Sequence, residues 1–135
     1  MIPVVAPVEP SAFDARCRQP GRKWQQANPD AARPKPLWLP FTSDLAEGFG
    51  NLCGYCALFD PTGGTVDHYL SAKSRPDLIY EWSNYRFSNH AMNASKKNAD
   101  AQVLDPFEVG KGWFEVLLPS LQLQVTNLVP VKLRK

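Results

Sequence analysis

Three observations predict an α+β fold. Four short stretches, Thr65–Leu70, Asn84–Ser88, Trp113–Leu117 and Leu121–Val125, carry the β-branched and aromatic residues or the alternation of strands. The helix signals between them are brief and polar, so the strands are joined without the long crossover helices of a parallel sheet. Eight of the thirteen prolines lie in the first 40 residues, which argues against long helices or central strands there.

The elements follow in order. Residues 1–42 read as an extended proline-rich arm anchored by Phe13, Trp24 and Trp38, and residues 43–135 as the folded domain. Asp44 with Glu47 three residues later resembles a capping box, and Gly48 or Gly50 can end a short helix. Cys53-Gly54-Tyr55-Cys56 forms a knuckle, and Pro61-Thr62-Gly63-Gly64 a turn into the first strand. Pro76 can open a short helix through Trp82. After the second strand, Ser88 or Asn89 caps a polar helix running to about Asn98. The last two strands form a hairpin across Pro119-Ser120.

At 135 residues the chain has room for a single modest core. No uninterrupted apolar run approaches the roughly 18 residues of a membrane span, and the N-terminus lacks the basic and apolar regions of a secretory signal. No membrane association and a cytoplasmic location are therefore expected. Net charge is +2, but it is unevenly spread. Residues 1–40 hold six Lys/Arg against three acids, whereas residues 51–108 hold five against seven. Basic flanks around an acidic middle suit a polyanion held at its edges, with solvated surface charge as the plain alternative. Three cysteines are too few for a disulfide framework, and Cys53 with Cys56 has the spacing of a metal knuckle or redox pair.

The chemically informative stretch is Val66-Asp67-His68, fifteen residues, Asn84, eight residues, Asn93, then Lys96 and Lys97. This pattern resembles the HNH, or ββα-metal, nuclease superfamily. The surrounding text Tyr80-Glu81-Trp82-Ser83-Asn84-Tyr85-Arg86, Val103–Val109 and Gly112-Trp113-Phe114 is similar to a stand-alone bacterial HNH subfamily. The resemblance implies a ββα-metal (HNH/His-Me finger) centre, followed here by the C-terminal hairpin.

Phosphodiester hydrolysis needs an in-line water, a base for its proton and neutralisation of charge on the phosphate. The resemblance makes His68 the base and has Asn84 orient the loop between the two strands. It makes Asp67 and Asn93 the ligands of a divalent cation, and a carboxylate with an amide oxygen suits Mg²⁺ or Mn²⁺ better than Zn²⁺. Lys96, Lys97, Arg86 and Lys73 are the expected nucleic-acid contacts. The implied activity is a metal-dependent DNA endonuclease of bacterial or phage DNA metabolism or defence, with a protein partner for targeting as a further expectation. Zinc-bearing relatives carry a second Cys pair where this chain has Asn89 and Met92, so structural Zn²⁺ at Cys53 and Cys56 is the minor expectation. The alternatives are a non-catalytic module that keeps the HNH shell for binding nucleic acid or a partner, and a small cysteine redox or metal-knuckle protein.

Adjacent residues in a regular strand point to opposite faces, so Asp67 and His68 can share a site only at a distorted strand end. His90 reads as helix surface, and Trp82, Tyr85, Phe87, Trp113 and Phe114 as core.

Overall fold

A computed structural model describes residues 1–97 and 99–134. It is a mixed α+β structure with two separate two-stranded antiparallel sheets. The helices are α1 (Gln19–Ala27), α2 (Thr42–Gly48) and α3 (His90–Lys96). The strands are β1 (Thr65–His68), β2 (Tyr85–Ser88), β3 (Phe114–Leu117) and β4 (Gln122–Val125). Among the described residues no helix is long and apolar enough to cross a membrane.

The segment expected to be an extended arm is partly helical. A wide helical turn, Asp14–Arg18, runs directly into α1. Pro20 falls in the first turn of α1, where a missing N–H costs no helical hydrogen bond. Gly21 lets α1 lie against Tyr80, because a Cβ there would come within 2.4 Å of the Tyr80 ring. Phe13 and Cys17 are completely buried. The Phe13 ring meets Phe41, Trp82 and Tyr85 edge-on at 5.1, 5.3 and 5.7 Å. Burying a side chain of that size contributes about 1.5–3 kcal/mol. The N-terminal segment is thus part of the core, not an appendage to it. Trp82 Nε1 donates to the Pro7 carbonyl at 2.9 Å, and Arg18 pairs with Glu9, Asp14 and Glu81.

The strands β1 and β2 pair in the register Val66↔Phe87, Asp67↔Arg86 and His68↔Tyr85. Val66, Tyr85 and Phe87 turn one face of this pair onto the core built from Phe13, Phe41, Leu45 and Phe49. The other face carries Asp67 and Arg86, both buried, and α3 lies against β1. Asn89 starts α3, its side chain accepting from the Met92 N–H at 2.7 Å. The stretch from Pro76 to Trp82 makes isolated single turns at Pro76–Leu78 and Trp82–Asn84 in place of the expected short helix.

The hairpin β3–β4 pairs Phe114↔Val125 and Val116↔Leu123. Val116, Leu118, Leu121, Leu123 and Val125 on it are exposed.

Candidate functional site

Asp67 lies at the centre of a buried polar layer. Its Oδ2 accepts from the Tyr55 hydroxyl at 2.5 Å and faces Lys96 Nζ at 3.2 Å, while Oδ1 lies 3.4 Å from the same nitrogen. Lys96 Nζ also donates to the backbone carbonyls of His68 and Tyr69, at 3.1 and 2.9 Å. Both Asp67 and Lys96 are almost fully buried. Burial first, and the Asp67 carboxylate second, push the Tyr55 phenol well above its usual range, so it remains a donor.

His68 leaves β1 on the opposite face. Its ring packs edge-on against Trp38 at 4.5 Å and Tyr85 at 5.1 Å. Nε2 lies 2.9 Å from the Ile79 carbonyl. A carbonyl only accepts, so this contact places a proton on Nε2 and leaves Nδ1 with the lone pair in the neutral ring. Burial holds His68 below its ordinary value of 6.5. The ring is therefore neutral at pH 7, and its burial opposes protonation.

Asn84 is buried and spans the loop between the strands. Its Oδ1 accepts from the Leu70 N–H at 2.9 Å, and Nδ2 donates to the carbonyls of Leu70 at 3.0 Å and Leu78 at 3.3 Å. Asn93 sits on α3 one turn before Lys96, and its Nδ2 donates to the Val66 carbonyl at 3.4 Å. Asn93 and Lys96 thus share the helix face laid on β1, and Asp67 lies beneath them. Asp67, Asn93 and Lys96 are gathered on one side of the strand, with His68 on the other. The alternation of an undistorted strand separates them.

Two expected nucleic-acid contacts are buried instead. Lys96 is enclosed by Asp67 and two backbone carbonyls. Arg86 makes a two-pronged pair with Asp105, Nε to Oδ1 at 2.7 Å and Nη2 to Oδ2 at 2.6 Å, and lies 3.6 Å from the Phe107 ring centre. A guanidinium with both prongs of its fork occupied is an internal strut, not a phosphate ligand. Lys97 and Lys73 are exposed. Lys73 lines a cleft of about 490 Å³ between the end of α1 and the loop that includes Ile79.

Cys53 is fully buried and Cys56 partly so. Burial pushes the Cys53 thiol up, but backbone N–H groups of Cys56, Asn89 and Tyr55 outweigh it and draw the value down. Asn89 Nδ2 donates to Cys56 Sγ at 3.5 Å. His90 is exposed. Among the described residues no three His, Cys, Asp or Glu side chains gather around one point.

The cation implied by the resemblance can be tested against the donors present. The Lys96 ammonium is surrounded by both Asp67 oxygens and the carbonyl oxygens of His68 and Tyr69. A hard-oxygen cage around an ammonium is also the donor chemistry that suits Mg²⁺ or Mn²⁺. Those oxygens suit the cation's chemistry, but the Lys96 ammonium already occupies them, and Asn93 turns its amide nitrogen to the Val66 carbonyl.

The sequence alone assigns no site role to Tyr55, Asp105 or Trp38. Each meets its partner only through tertiary packing: Tyr55 comes to Asp67 across 12 positions, and Asp105 to Arg86 across 19. Comparison with protein-family models, curated proteins and solved structures finds no significant match to this chain.

Proposed function

We propose that the β1–β2–α3 unit is an HNH-type ββα-metal centre that hydrolyses nucleic-acid phosphodiester bonds, with DNA as the expected substrate. The observation that carries this reading is the docking of α3 on β1. It sets Asn93 and Lys96 over Asp67, while the neutral His68 ring, with one free nitrogen, lies on the other face of the same strand. In this reading Asp67 and Asn93 would hold a divalent cation, whose chemistry would be to neutralise charge on the phosphate. His68 takes the proton of the attacking water at Nδ1. Asn84 holds the inter-strand loop and so acts by positioning. Exposed Lys73 and Lys97 supply phosphate contacts.

A second reading, a binding module without catalysis, is favoured by the placement of Asp67 and His68 on opposite faces of β1. Nicking of supercoiled plasmid with and without Mn²⁺ separates the two. Cation-dependent nicking abolished by His68→Ala supports the nuclease; retention of DNA with no cleavage under any cation supports the module.

A further inference from the structure

The buried ammonium of Lys96 is held by the Asp67 carboxylate and the carbonyls of His68 and Tyr69. Asp67 has two oxygens, and both already face positive or hydrogen-donating groups: Tyr55 and Lys96 on Oδ2, Lys96 on Oδ1. The layer around it is balanced, with Asp67 and Asp105 against Lys96 and Arg86. All four side chains are buried. Adding a divalent cation while the ammonium stays would place like charges a few ångströms apart in a medium that screens them poorly. Tyr55 is a neutral donor and can keep its bond to Asp67. Arg86 is held by both oxygens of Asp105 and stacked on Phe107, so it cannot yield easily. Lys96 is the last residue of α3, on a flexible four-carbon stem, and its bonds at 2.9–3.4 Å are single-point contacts.

We infer that Lys96 is a resident counter-ion of the Asp67 pocket, which a divalent cation displaces, so that cation binding releases the Lys96 ammonium to the surface beside Lys97. This rests on the phosphodiesterase reading above and adds a regulated step to it. The free site is self-neutralised and closed, and occupancy by the cation frees a phosphate-binding amine at the same moment.

The exchange can be read on the wild-type chain without any activity assay. Lysines are acetylated with an N-hydroxysuccinimide ester, with and without Mn²⁺, and mapped by peptide mass spectrometry. Bound Mn²⁺ is followed in parallel from the electron paramagnetic resonance signal of the free ion. Lys96 is expected to be protected without Mn²⁺ and acetylated in step with Mn²⁺ occupancy, while exposed Lys97 and Lys73 react alike in both conditions. Lys96→Met, if it folds, should bind Mn²⁺ at least about tenfold more tightly, the factor expected when the competent state is populated a tenth of the time or less. Mn²⁺ bound by the wild type with Lys96 still protected overturns the exchange and leaves the phosphodiesterase reading standing. Mn²⁺ bound by Lys96→Met but not by the wild type also overturns it, since the lysine would then be a permanent plug. Absence of Mn²⁺ binding to both proteins, or binding indifferent to Asp67→Asn, removes the metal-centre reading and the exchange with it.

Discussion

Asn84 and Leu70 are joined by a two-way amide pair, Oδ1 to the Leu70 N–H at 2.9 Å and Nδ2 to the Leu70 carbonyl at 3.0 Å. The side chain of the residue just before β2 therefore replaces a rung of backbone ladder for the loop that leaves β1. The loop carries Ile79, whose carbonyl orients His68. Asn84→Ala removes three hydrogen bonds and leaves loop groups unpaired, at a cost of about 1–3 kcal/mol for each polar group stranded out of water. Urea unfolding should register the loss, and cleavage should fall because the His68 ring loses its fixed tautomer. Unchanged stability would make the loop self-supporting.

His68 gives the fold a pH dependence whose sign follows from its lowered value. In the unfolded chain the imidazole titrates near its ordinary 6.5, whereas the buried ring resists protonation. Its contribution to stability is complete above about pH 7 and is lost as pH falls through the unfolded value towards the folded one. Denaturation midpoints between pH 5 and 8 should show this slope in the wild type and lose it in His68→Phe. If the slope persists in the variant, another group is responsible.

Removal of the base should separate chemistry from folding. His68→Ala is expected to bind Mn²⁺ and DNA but cleave about 10²–10⁴-fold more slowly, with a residual rate that rises with pH as hydroxide takes over. Asp67→Asn should instead lose Mn²⁺ affinity. Nicking measured across pH and Mn²⁺ concentration distinguishes the two signatures.

Arg86 and the exposed lysines should behave oppositely. Arg86→Met strands the buried Asp105 carboxylate and is expected to cost about 3–5 kcal/mol, with Arg86→Lys only a partial rescue because the fork is lost. Lys73→Glu and Lys97→Glu should leave the melting temperature near that of the wild type. They should weaken DNA binding equally for unrelated sequences and lower the salt slope by about one for each phosphate no longer neutralised. A stable Arg86→Met protein with weakened DNA binding would return Arg86 to the interface.

The Cys53–Cys56 knuckle should be dispensable for the cation-dependent reaction. Cys53→Ala with Cys56→Ala is expected to cost about 1–3 kcal/mol through lost packing while nicking survives. Cys17, whose thiol burial pushes up to about 11, should be the last to react with iodoacetamide. Stoichiometric zinc in the purified chain, with unfolding on chelation, would show the ligand set to be larger than Cys53 and Cys56.

Local chemistry made the short elements legible in the chain itself. β-branched and aromatic alternation marked β1 to β4 to within a residue or two, and Ser88-Asn89 marked the start of α3, where the Asn89 side chain satisfies an N–H that the first turn leaves free. The period of two sets Asp67 and His68 on opposite faces of a regular strand but leaves a distorted end open, and β1 keeps its register through His68. Three matters were decided only by the fold. Helix in residues 14–27 depended on Gly21 fitting against Tyr80, 59 positions away, which no local propensity encodes. Burial of Arg86 depended on Asp105 arriving from beyond α3. Capture of Lys96 depended on α3 lying across β1, because a lysine's long stem reaches solvent or a buried carboxylate equally well, and only packing determines which.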